Sequence, residues 1–329
     1  MKKLYFFPPS PANETNPYSK NYKKALKKYF NVVECDKVVN RGARLDLLKH
    51  SFRDSVFVLN WPESINKGIK NFPLFVITLC ALFVIQIRGA KLIWMLHNLE
   101  PHEGLNAYSK TIMSFHCRYS SLIITHSMAA KTQAEKLTDR PVHYVCHPVK
   151  SIEVTDLEDV EKTDIFIWGA ILPYKGIAEF VSNPRLQESK LEVRIIGKCK
   201  DQNLADRIDN ACRNNKNVVF ENRRAENEEL MAYCRNSRYV LFPYLEGSVS
   251  SSGALIDTIV IGGTPIGPNV GAFHDLSIEG LCIVYNNAEE LFRLIKSERK
   301  IDSENVARFL HENSWDSFAD KFNEWIAEL

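Results

Sequence analysis

Short apolar runs alternate along the chain with longer segments whose apolar positions recur at helical spacing. The runs Lys3–Phe7 and Lys91–Leu96 are rich in aromatic and branched residues, which predicts buried strands. Residues 19–29 and 108–118 carry the helical spacing instead. Because strands and helices alternate, the pattern predicts an α/β protein with parallel sheets.

The same alternation continues along the rest of the chain. Further predicted strands are 31–34, 55–60, 121–125, 143–146, Ile165–Trp168, 192–196, Val218–Glu221, 239–242, 264–267 and 282–285. Further predicted helices are 45–51, Phe72–Ile87, 176–181, 225–234, Gly253–Ile261, 288–297, Ser303–Glu312 and Trp315–Glu328.

The acidic and polar segment 151–163 interrupts the alternation and predicts a linker. We therefore expect an N-terminal Rossmann-like domain at 1–150 and a C-terminal one at 164–312, the two facing each other across a cleft. The last segment, 313–329, is expected to be a helix that packs back on the first domain. Ligands of open parallel sheets bind at the carboxyl ends of the strands, so those loops are the places to look for chemistry.

The segment Phe72–Ile87 is almost entirely apolar. Its 16 residues fall short of the roughly 20 that a membrane-spanning helix needs. The favoured interpretation is a helix buried between two strands. The alternative is a helix that also rests on a membrane surface, near a lipid-linked acceptor.

The bulk composition restricts the class of protein. The 329 residues include 42 basic and 40 acidic side chains, a net charge of +2 that gives no reason to expect nucleic-acid binding. The eight cysteines form no CxxC pair, and the N-terminus has no signal-peptide pattern. Both features favour reduced thiols and a cytoplasmic location.

Three loops carry candidate chemistry. In WGAILPYKG, Lys175 precedes Gly176 at a predicted helix start, where an ammonium and free backbone N–H groups suit a diphosphate. The alternative there is a solvated loop lysine. In FPYLEGSVSSSG, small hydroxyl residues lead into a helix and suit phosphate oxygens, while Glu246 is placed to accept hydrogen bonds from sugar hydroxyls. The alternative is a flexible loop in which Ser251 or Ser252 caps the helix.

The third loop, LHNLEPHEG at 96–104, gathers histidines and carboxylates just after a strand. These side chains suit contacts with a sugar or an acceptor, and the alternative is a set of solvated loop side chains. The loop lacks the helical HExxH spacing of zinc sites, so no metal is expected.

Together these segments resemble the retaining GT-B glycosyltransferases, especially the large family four. Gly169, Lys175 and Gly176 match the family's G-R-x-x-x-x-K-G segment, although Ala170 stands at its arginine. Pro243, Glu246 and Gly247 match the start of P-S-x-x-E-G-F-G-x-x-x-x-E, and a G-T-P at 263–265 matches a later segment. Ala254 stands at the second glutamate of that pattern, and Asp257 is the nearest carboxylate.

The resemblance implies a role for each matching residue. His97, Glu246 and Lys175 would be catalytic. The donor would be held by Gly169, Lys175, Lys198, Asn222, Arg224, Glu246, Gly247, Ser248, Ser250, Ser251, Ser252, Gly253 and Asp257. The acceptor would be bound by Asn13, Asn16, Tyr18, Ser19, His97, Asn98, Glu100, His102 and Glu103.

The resemblance also implies an activity. The protein would transfer a hexose from a UDP- or GDP-linked donor to a glycan or lipid-linked glycan, with retention and without a metal or other cofactor, in bacterial surface polysaccharide assembly. It would work in the cytoplasm or at the inner face of the membrane, with peripheral membrane contact as an option. In an inverting path Glu100 or Glu103 would be the base. Two alternatives stay open: a non-catalytic GT-B partner, favoured by Ala170 and Ala254, and a hydrolase or epimerase of nucleotide sugars.

Overall fold

The structure, a computed structural model, describes residues 1–8, 18–34, 44–45, 47, 54–97, 105–149, 160–245 and 252–329. It divides the chain into two compact units. The N-terminal unit comprises Met1–Pro148 together with Asn313–Leu329, and the C-terminal unit comprises Val149–Glu312. The last segment of the chain therefore belongs to the unit in which the chain begins.

Each unit is built on one six-stranded sheet. In the N-terminal unit the strands are β1 (Lys3–Phe7), β2 (Asn31–Glu34), β3 (Val56–Asn60), β4 (Lys91–Leu96), β5 (Leu122–Thr125) and β6 (Val142–Tyr144). In the C-terminal unit they are β7 (Ile165–Trp168), β8 (Val193–Ile196), β9 (Val218–Glu221), β10 (Tyr239–Leu241), β11 (Pro265–Pro268) and β12 (Ile283–Tyr285).

Helices connect the strands in both units. They are α1 (Tyr18–Leu26), α2 (Phe72–Ile87), α3 (Ala107–Tyr119), α4 (Met128–Glu135), α5 (Ile177–Val181), α6 (Pro184–Gln187), α7 (Gln202–Arg213), α8 (Asn227–Asn236), α9 (Gly253–Ile261), α10 (Gly271–Ile278), α11 (Ala288–Ile295), α12 (Ser303–Glu312) and α13 (Trp315–Glu328). Short 3₁₀ turns at Ile69–Asn71 and Pro173–Lys175 precede α2 and α5.

The sheet of the N-terminal unit is parallel throughout, in the order β2-β1-β3-β4-β5-β6. The chain moves outward from β1 to β2 and then returns to the other side of β1 for β3. The strand order therefore reverses between β1 and β3. In sheets of this kind a reversal opens a crevice at the carboxyl ends of the two strands, where ligands bind.

Alternating side chains of β1 supply two cores on opposite faces of this sheet. Leu4 and Phe6 belong to a cluster that also contains Tyr22 of α1 and Phe318 and Phe322 of α13. The rings of Tyr22 and Phe318 meet edge to face at 4.8 Å. The final helix is thus part of the hydrophobic core of the N-terminal unit.

The sheet of the C-terminal unit has the order β12-β11-β10-β7-β8-β9, again parallel throughout. Numbered from its own first strand, this is the 3-2-1-4-5-6 order of dinucleotide-binding folds. The order reverses between β7 and β10, which are neighbours in the sheet. The loops that follow these two strands hold the first two candidate segments of the sequence.

The predicted α/β fold with two parallel sheets is confirmed. The sequence analysis missed the helices α4, α6, α7 and α10. Of these, α7 carries a clear signal, because Leu204, Ala205, Ile208 and Cys212 recur at helical spacing and are all buried. Most of the predicted helix at 45–51 and most of the predicted linker at 151–163 lie outside the described residues.

The favoured interpretation of Phe72–Ile87 was a buried helix between two strands; the helix does lie between β3 and β4 in the chain, but most of its residues are not buried. The predicted bounds hold, but only Thr78, Ala81, Leu82 and Ile85 are buried. The local sequence determines that a helix forms here. How much of its surface is buried depends on how the sheet and α3 pack against it.

Candidate functional site

The side chain of Lys175 returns to the carboxyl end of β7. Gly169, the first residue after the strand, has φ +100°, and a Cβ at this position would stand 3.4 Å from Nζ of Lys175. The chain then runs through the 3₁₀ turn Pro173–Lys175, whose last residue is Lys175. A Cβ at Gly169 would make ordinary van der Waals contact with the ammonium, and the positive φ is what disfavours a side chain there.

Gly176 locks this loop against the segment that follows β10. Its φ is +64°, and a Cβ would lie 2.1 Å from the carbonyl oxygen of Pro243. The backbone N–H of Leu245 donates to the carbonyl of Tyr174 at 3.0 Å. Because β7 and β10 flank the reversal of strand order, the two loops meet at the crevice of this sheet.

The ammonium of Lys175 is buried and lies over an aromatic ring. Its Nζ stands 5.5 Å from the ring centroid of Tyr244, a cation–π distance. Desolvation lowers the pKa of Lys175 to about 8, and no charged group of the described residues offsets it. A cation held in this way favours an anionic ligand.

The N-terminus of α9 lies next to the same tyrosine. The side chain of Ser252 caps this nine-residue helix by accepting from the N–H of Leu255 at 3.3 Å, and it also hydrogen-bonds the hydroxyl of Tyr244. Gly253, the first helical residue, has open space where a Cβ would stand. The first N–H groups of the helix have no partner within the helix itself, and the positive end of its dipole lies near Lys175.

The remaining predicted donor residues have mixed positions. Lys198 and Arg224 are exposed, so neither shares the buried setting of Lys175. The side chain of Asn222 accepts from the N–H of Cys199 at 2.9 Å and thereby ties the loops after β8 and β9 together. Asp257 is half-buried in α9. The segment 246–251, which contains Glu246, Gly247, Ser248, Ser250 and Ser251, lies outside the described residues.

A second candidate site lies in the N-terminal unit, at the reversal between β1 and β3. Asn60, the last residue of β3, donates from Nδ2 to the carbonyl of Phe7 at 3.0 Å. Its Oδ1 must then accept, and it lies 3.0 Å from Nε2 of His97. His97 therefore carries its proton on Nε2 and leaves Nδ1 as the bare, accepting nitrogen.

A second histidine is oriented by a similar pair of bonds. Nδ1 of His126 donates to the carbonyl of Val145 at 2.8 Å, so Nε2 accepts the hydroxyl hydrogen of Tyr18, also at 2.8 Å. His126 follows β5, and Tyr18 begins α1. The rings of His97 and His126 are 5.6 Å apart, and that of His147 is 5.4 Å from His126.

Trp61 covers this cluster. Its ring stacks on His97 with centroids 4.2 Å apart and planes 18° from parallel. The backbone of Trp61 has φ +50°, a conformation that costs free energy for a residue with a side chain and that occurs often at functional sites. From α13, Trp315 adds its ring at 5.5 Å from Tyr18.

Burial keeps these histidines neutral. Desolvation lowers the pKa of His126 to about 3 and that of His97 well below its ordinary value, and the neighbouring histidines lower the pKa of His97 further. Their nitrogens therefore act as neutral hydrogen-bond donors and acceptors at physiological pH. Within the part of the chain that the structure describes, no group of three or more metal-ligating side chains could hold an ion.

Sequence reasoning placed His97, Tyr18 and Ser19 near the acceptor, and the structure puts Tyr18 and His97 in one cluster, with ring centroids 5.2 Å apart. The sequence analysis missed Asn60, Trp61, His126 and His147. Their common signal is that each one ends or closely follows a strand of a single parallel sheet. The segments 9–17 and 98–104, with Asn13, Asn16, Asn98, Glu100, His102 and Glu103, lie outside the described residues.

Comparison with solved structures decides the fold. Over the full length of both chains, the protein is similar to HepE from Anabaena, solved with UDP-glucose, at 12% identity and a TM-score of 0.68. The chain has the GT-B fold. Its structure is also similar to a trehalose-6-phosphate synthase from E. coli bound with UDP-2-fluoro glucose, at 12% identity over 98% of each chain and a TM-score of 0.67.

A third similar structure is AviGT4, a glycosyltransferase involved in avilamycin A biosynthesis, at 14% identity over 100% of this chain and 98% of that one, with a TM-score of 0.63. By sequence, no protein-family model and no curated protein matches the chain. The likeness is therefore one of fold.

Proposed function

We propose that the protein is a glycosyltransferase that takes a hexose from a nucleotide-diphosphate sugar and transfers it to a glycan or lipid-linked glycan. One observation carries this proposal. The buried ammonium of Lys175 lies where the strand order of the C-terminal sheet reverses, beside the N-terminus of α9, and no charged group of the described residues offsets it. A diphosphate would complete this arrangement.

The chemistry follows from the charge that develops on the leaving group. As the bond to the sugar breaks, negative charge grows on the diphosphate. Lys175 and the N–H groups at the start of α9 would stabilise it without having to reorganise. Gly169 and Gly253 carry no Cβ, so the phosphates can come close to the backbone at both points. The donor needs no metal when the protein supplies the positive charge.

We propose that the N-terminal unit binds the acceptor. His97 offers Nδ1 as a fixed acceptor, because Asn60 holds the proton on Nε2. Tyr18 and Trp61 add aromatic surface next to it. A hydroxyl-rich ligand suits this combination of neutral polar groups and rings. Glu246 remains our predicted contact to the donor sugar.

The nucleotide and the stereochemistry rest on the fold relatives. HepE was solved with UDP-glucose, and a trehalose-6-phosphate synthase of the same fold was studied for glycosyl transfer with retention. We propose UDP as the first nucleotide to test, and retention of the anomeric configuration as the stereochemical outcome. We further propose surface polysaccharide assembly as the role and the cytoplasmic face of the membrane as the location. The seven described cysteines are all free, which suits that compartment.

A non-catalytic GT-B partner is the second candidate. Ala170 and Ala254 favour it, because they stand where related enzymes carry an arginine and a glutamate. Such a partner has no need of a nucleotide. Donor binding therefore separates the two candidates.

Thermal unfolding with UDP, GDP and their sugar conjugates tests the proposal. A ligand at about 100 times its dissociation constant adds about 2.7 kcal/mol to the free energy of unfolding, enough to raise Tm by several degrees. We expect a shift with one nucleotide, its loss in Lys175→Ala and its retention in Lys216→Ala, an exposed lysine of the same unit. No shift with any nucleotide would reject the enzyme and leave the non-catalytic partner.

A further inference from the structure

The solvent side of α2 is apolar. Phe72, Val76, Cys80, Phe83 and Ile87 follow one another at intervals of three or four residues, so they lie on one face of the helix, and all five are exposed. A surface helix normally places polar side chains on that face. A contiguous exposed apolar face marks an interaction site.

The opposite face is anchored in the N-terminal unit. Ala81, Leu82 and Ile85 of α2 are buried in the same hydrophobic cluster as Phe57 and Leu92 of the sheet. Among the described residues, Ile69–Ile87 is the one helical stretch long and apolar enough to cross a membrane by length and composition. The α-helix itself has 16 residues and is about 24 Å long, less than the roughly 30 Å of a hydrocarbon core. Because its opposite face packs into the core of the N-terminal unit, the helix is placed to lie on a membrane surface.

The charged residues that flank α2 in the sequence all have the same sign. Lys67 and Lys70 precede the helix and are exposed, and Arg88 follows it and is also exposed. The sequence from residue 64 to residue 97 contains no aspartate and no glutamate. An apolar face flanked by cations at both ends is complementary to a bilayer with anionic headgroups.

We propose that an anionic membrane surface docks on the face of α2 formed by Phe72, Val76, Cys80, Phe83 and Ile87, together with the exposed Ile69 of the 3₁₀ turn that precedes the helix. The helix axis lies parallel to the bilayer. The apolar face enters the boundary between headgroups and acyl chains, and Lys67, Lys70 and Arg88 contact the headgroups. This surface would give the peripheral location proposed above its physical basis.

The charge pattern favours a bilayer over a second copy of the chain. In a twofold contact between two α2 helices, one apolar face would meet the same face of the partner. Antiparallel packing would then bring Lys67 and Lys70 of one copy close to Arg88 of the other. Like charges would oppose each other at both ends of the contact, whereas anionic lipid would neutralise them.

Cosedimentation with vesicles tests the apolar face. The protein is mixed with vesicles of phosphatidylcholine alone and of phosphatidylcholine with phosphatidylglycerol, without any sugar donor. We expect binding to the anionic vesicles and a loss of at least about tenfold in affinity for Ile69→Ser combined with Ile87→Ser. The matched control is Ile278→Ser, an exposed isoleucine of the C-terminal unit, which should bind like the wild type.

Neutralising the flanking cations tests the electrostatic part. Lys67→Gln combined with Lys70→Gln should weaken binding by about fivefold for each charge removed, and added salt should weaken wild-type binding. Lys216→Gln is the control.

Absence of vesicle binding, or equal binding to both lipid mixtures, would overturn the proposal. The proposal would also be overturned if the wild type is a dimer and the combination of Ile69→Ser and Ile87→Ser makes it a monomer. The apolar face would then bind a second copy of the chain. Because no donor is present, the proposal can fail while the transferase assignment stands, and the reverse also holds.

Discussion

Nζ of Lys175 lies 5.5 Å from the ring centroid of Tyr244, and burial lowers the pKa of the lysine to about 8. The ring faces the ammonium but carries no net charge. Among the described residues the positive charge is therefore held by a quadrupole and not by a carboxylate. Burial of this cation destabilises the folded protein. A bound anion would offset that destabilisation, and the free energy recovered would contribute to anion binding. Three of the predictions concern this loop.

Replacing Lys175 with methionine should stabilise the protein without ligand. The folded state holds the lysine proton less tightly than the unfolded chain, where the pKa is about 10.4. Below pH 8 the ammonium therefore costs stability, and this cost is relieved as the pH rises from about 8 to about 10.4. We expect Lys175→Met to raise the free energy of unfolding at neutral pH by about 1–3 kcal/mol in a urea titration. Lys216→Met should change nothing, and a destabilised Lys175→Met protein would contradict the prediction.

Donor affinity should fall at alkaline pH. Above a pH of about 8 the free protein loses the proton of Lys175, so binding of a nucleotide diphosphate must take up that proton again. The affinity measured by titration calorimetry should drop by about tenfold per pH unit above this value. Lys175→Arg keeps its charge over the same range and should give a flat profile. A flat profile in the wild type would exclude this role for the ammonium.

Gly176 should tolerate no side chain. Alanine would have to adopt φ +64° and would bring Cβ to 2.1 Å from the carbonyl oxygen of Pro243. Gly89 has a similar φ of +71° with open space around it, so Gly89→Ala isolates the backbone cost, about 1 kcal/mol. We expect Gly176→Ala to lose at least about 2 kcal/mol more than Gly89→Ala in chemical denaturation. Equal losses would mean that the contact with Pro243 is not a constraint.

Asn60 should act as a positioning residue for His97. Asn60→Leu removes the acceptor that holds the proton on Nε2 of His97 and leaves the carbonyl of Phe7 without its partner. We expect kcat to fall by about tenfold or more with little change in the donor KM, because we propose that the donor binds to the C-terminal unit. Nitrogen NMR of the imidazole should show a mixture of tautomers.

The control for Asn60 is Asn215→Leu. Asn215 is also buried, and it also donates to a backbone carbonyl, that of Leu186, at 3.1 Å. Both variants should lose about 1–3 kcal/mol of stability, but only Asn60→Leu should lose kcat. A kcat loss in both would reduce the role of Asn60 to stability.

Mild acid should destabilise the N-terminal unit. Burial lowers the pKa of both His116 and His126 to about 3, whereas the unfolded chain titrates near 6.5. The unfolded state therefore binds more protons below about pH 6.5, and stability falls as the pH drops from there towards 3. Tm should decrease over this range, and His126→Gln should make the decrease shallower. An unchanged pH dependence in His126→Gln would show that this histidine does not contribute.

The sequence by itself determined most of the local structure and the position of Lys175. Apolar runs such as Ile165–Trp168 match the strands residue for residue, and the bounds of α2 and α9 were predicted without error. The glycines around Lys175 also carry a local signal, since positive φ at Gly169 and Gly176 depends on the absence of a side chain. These properties depend on neighbours in the chain.

Tertiary structure alone decided which distant residues meet. His97, His126 and His147 stand far apart in the sequence and come together because β4, β5 and β6 are adjacent in a parallel sheet. Asn60 joins them because β3 is the neighbour of β4 in the same sheet. The exposed face of α2 could not be predicted from the sequence either. An all-apolar helix has no amphipathic pattern, so its sequence does not indicate which face is buried. Strand order and burial depend on contacts between remote segments, and no local periodicity encodes them.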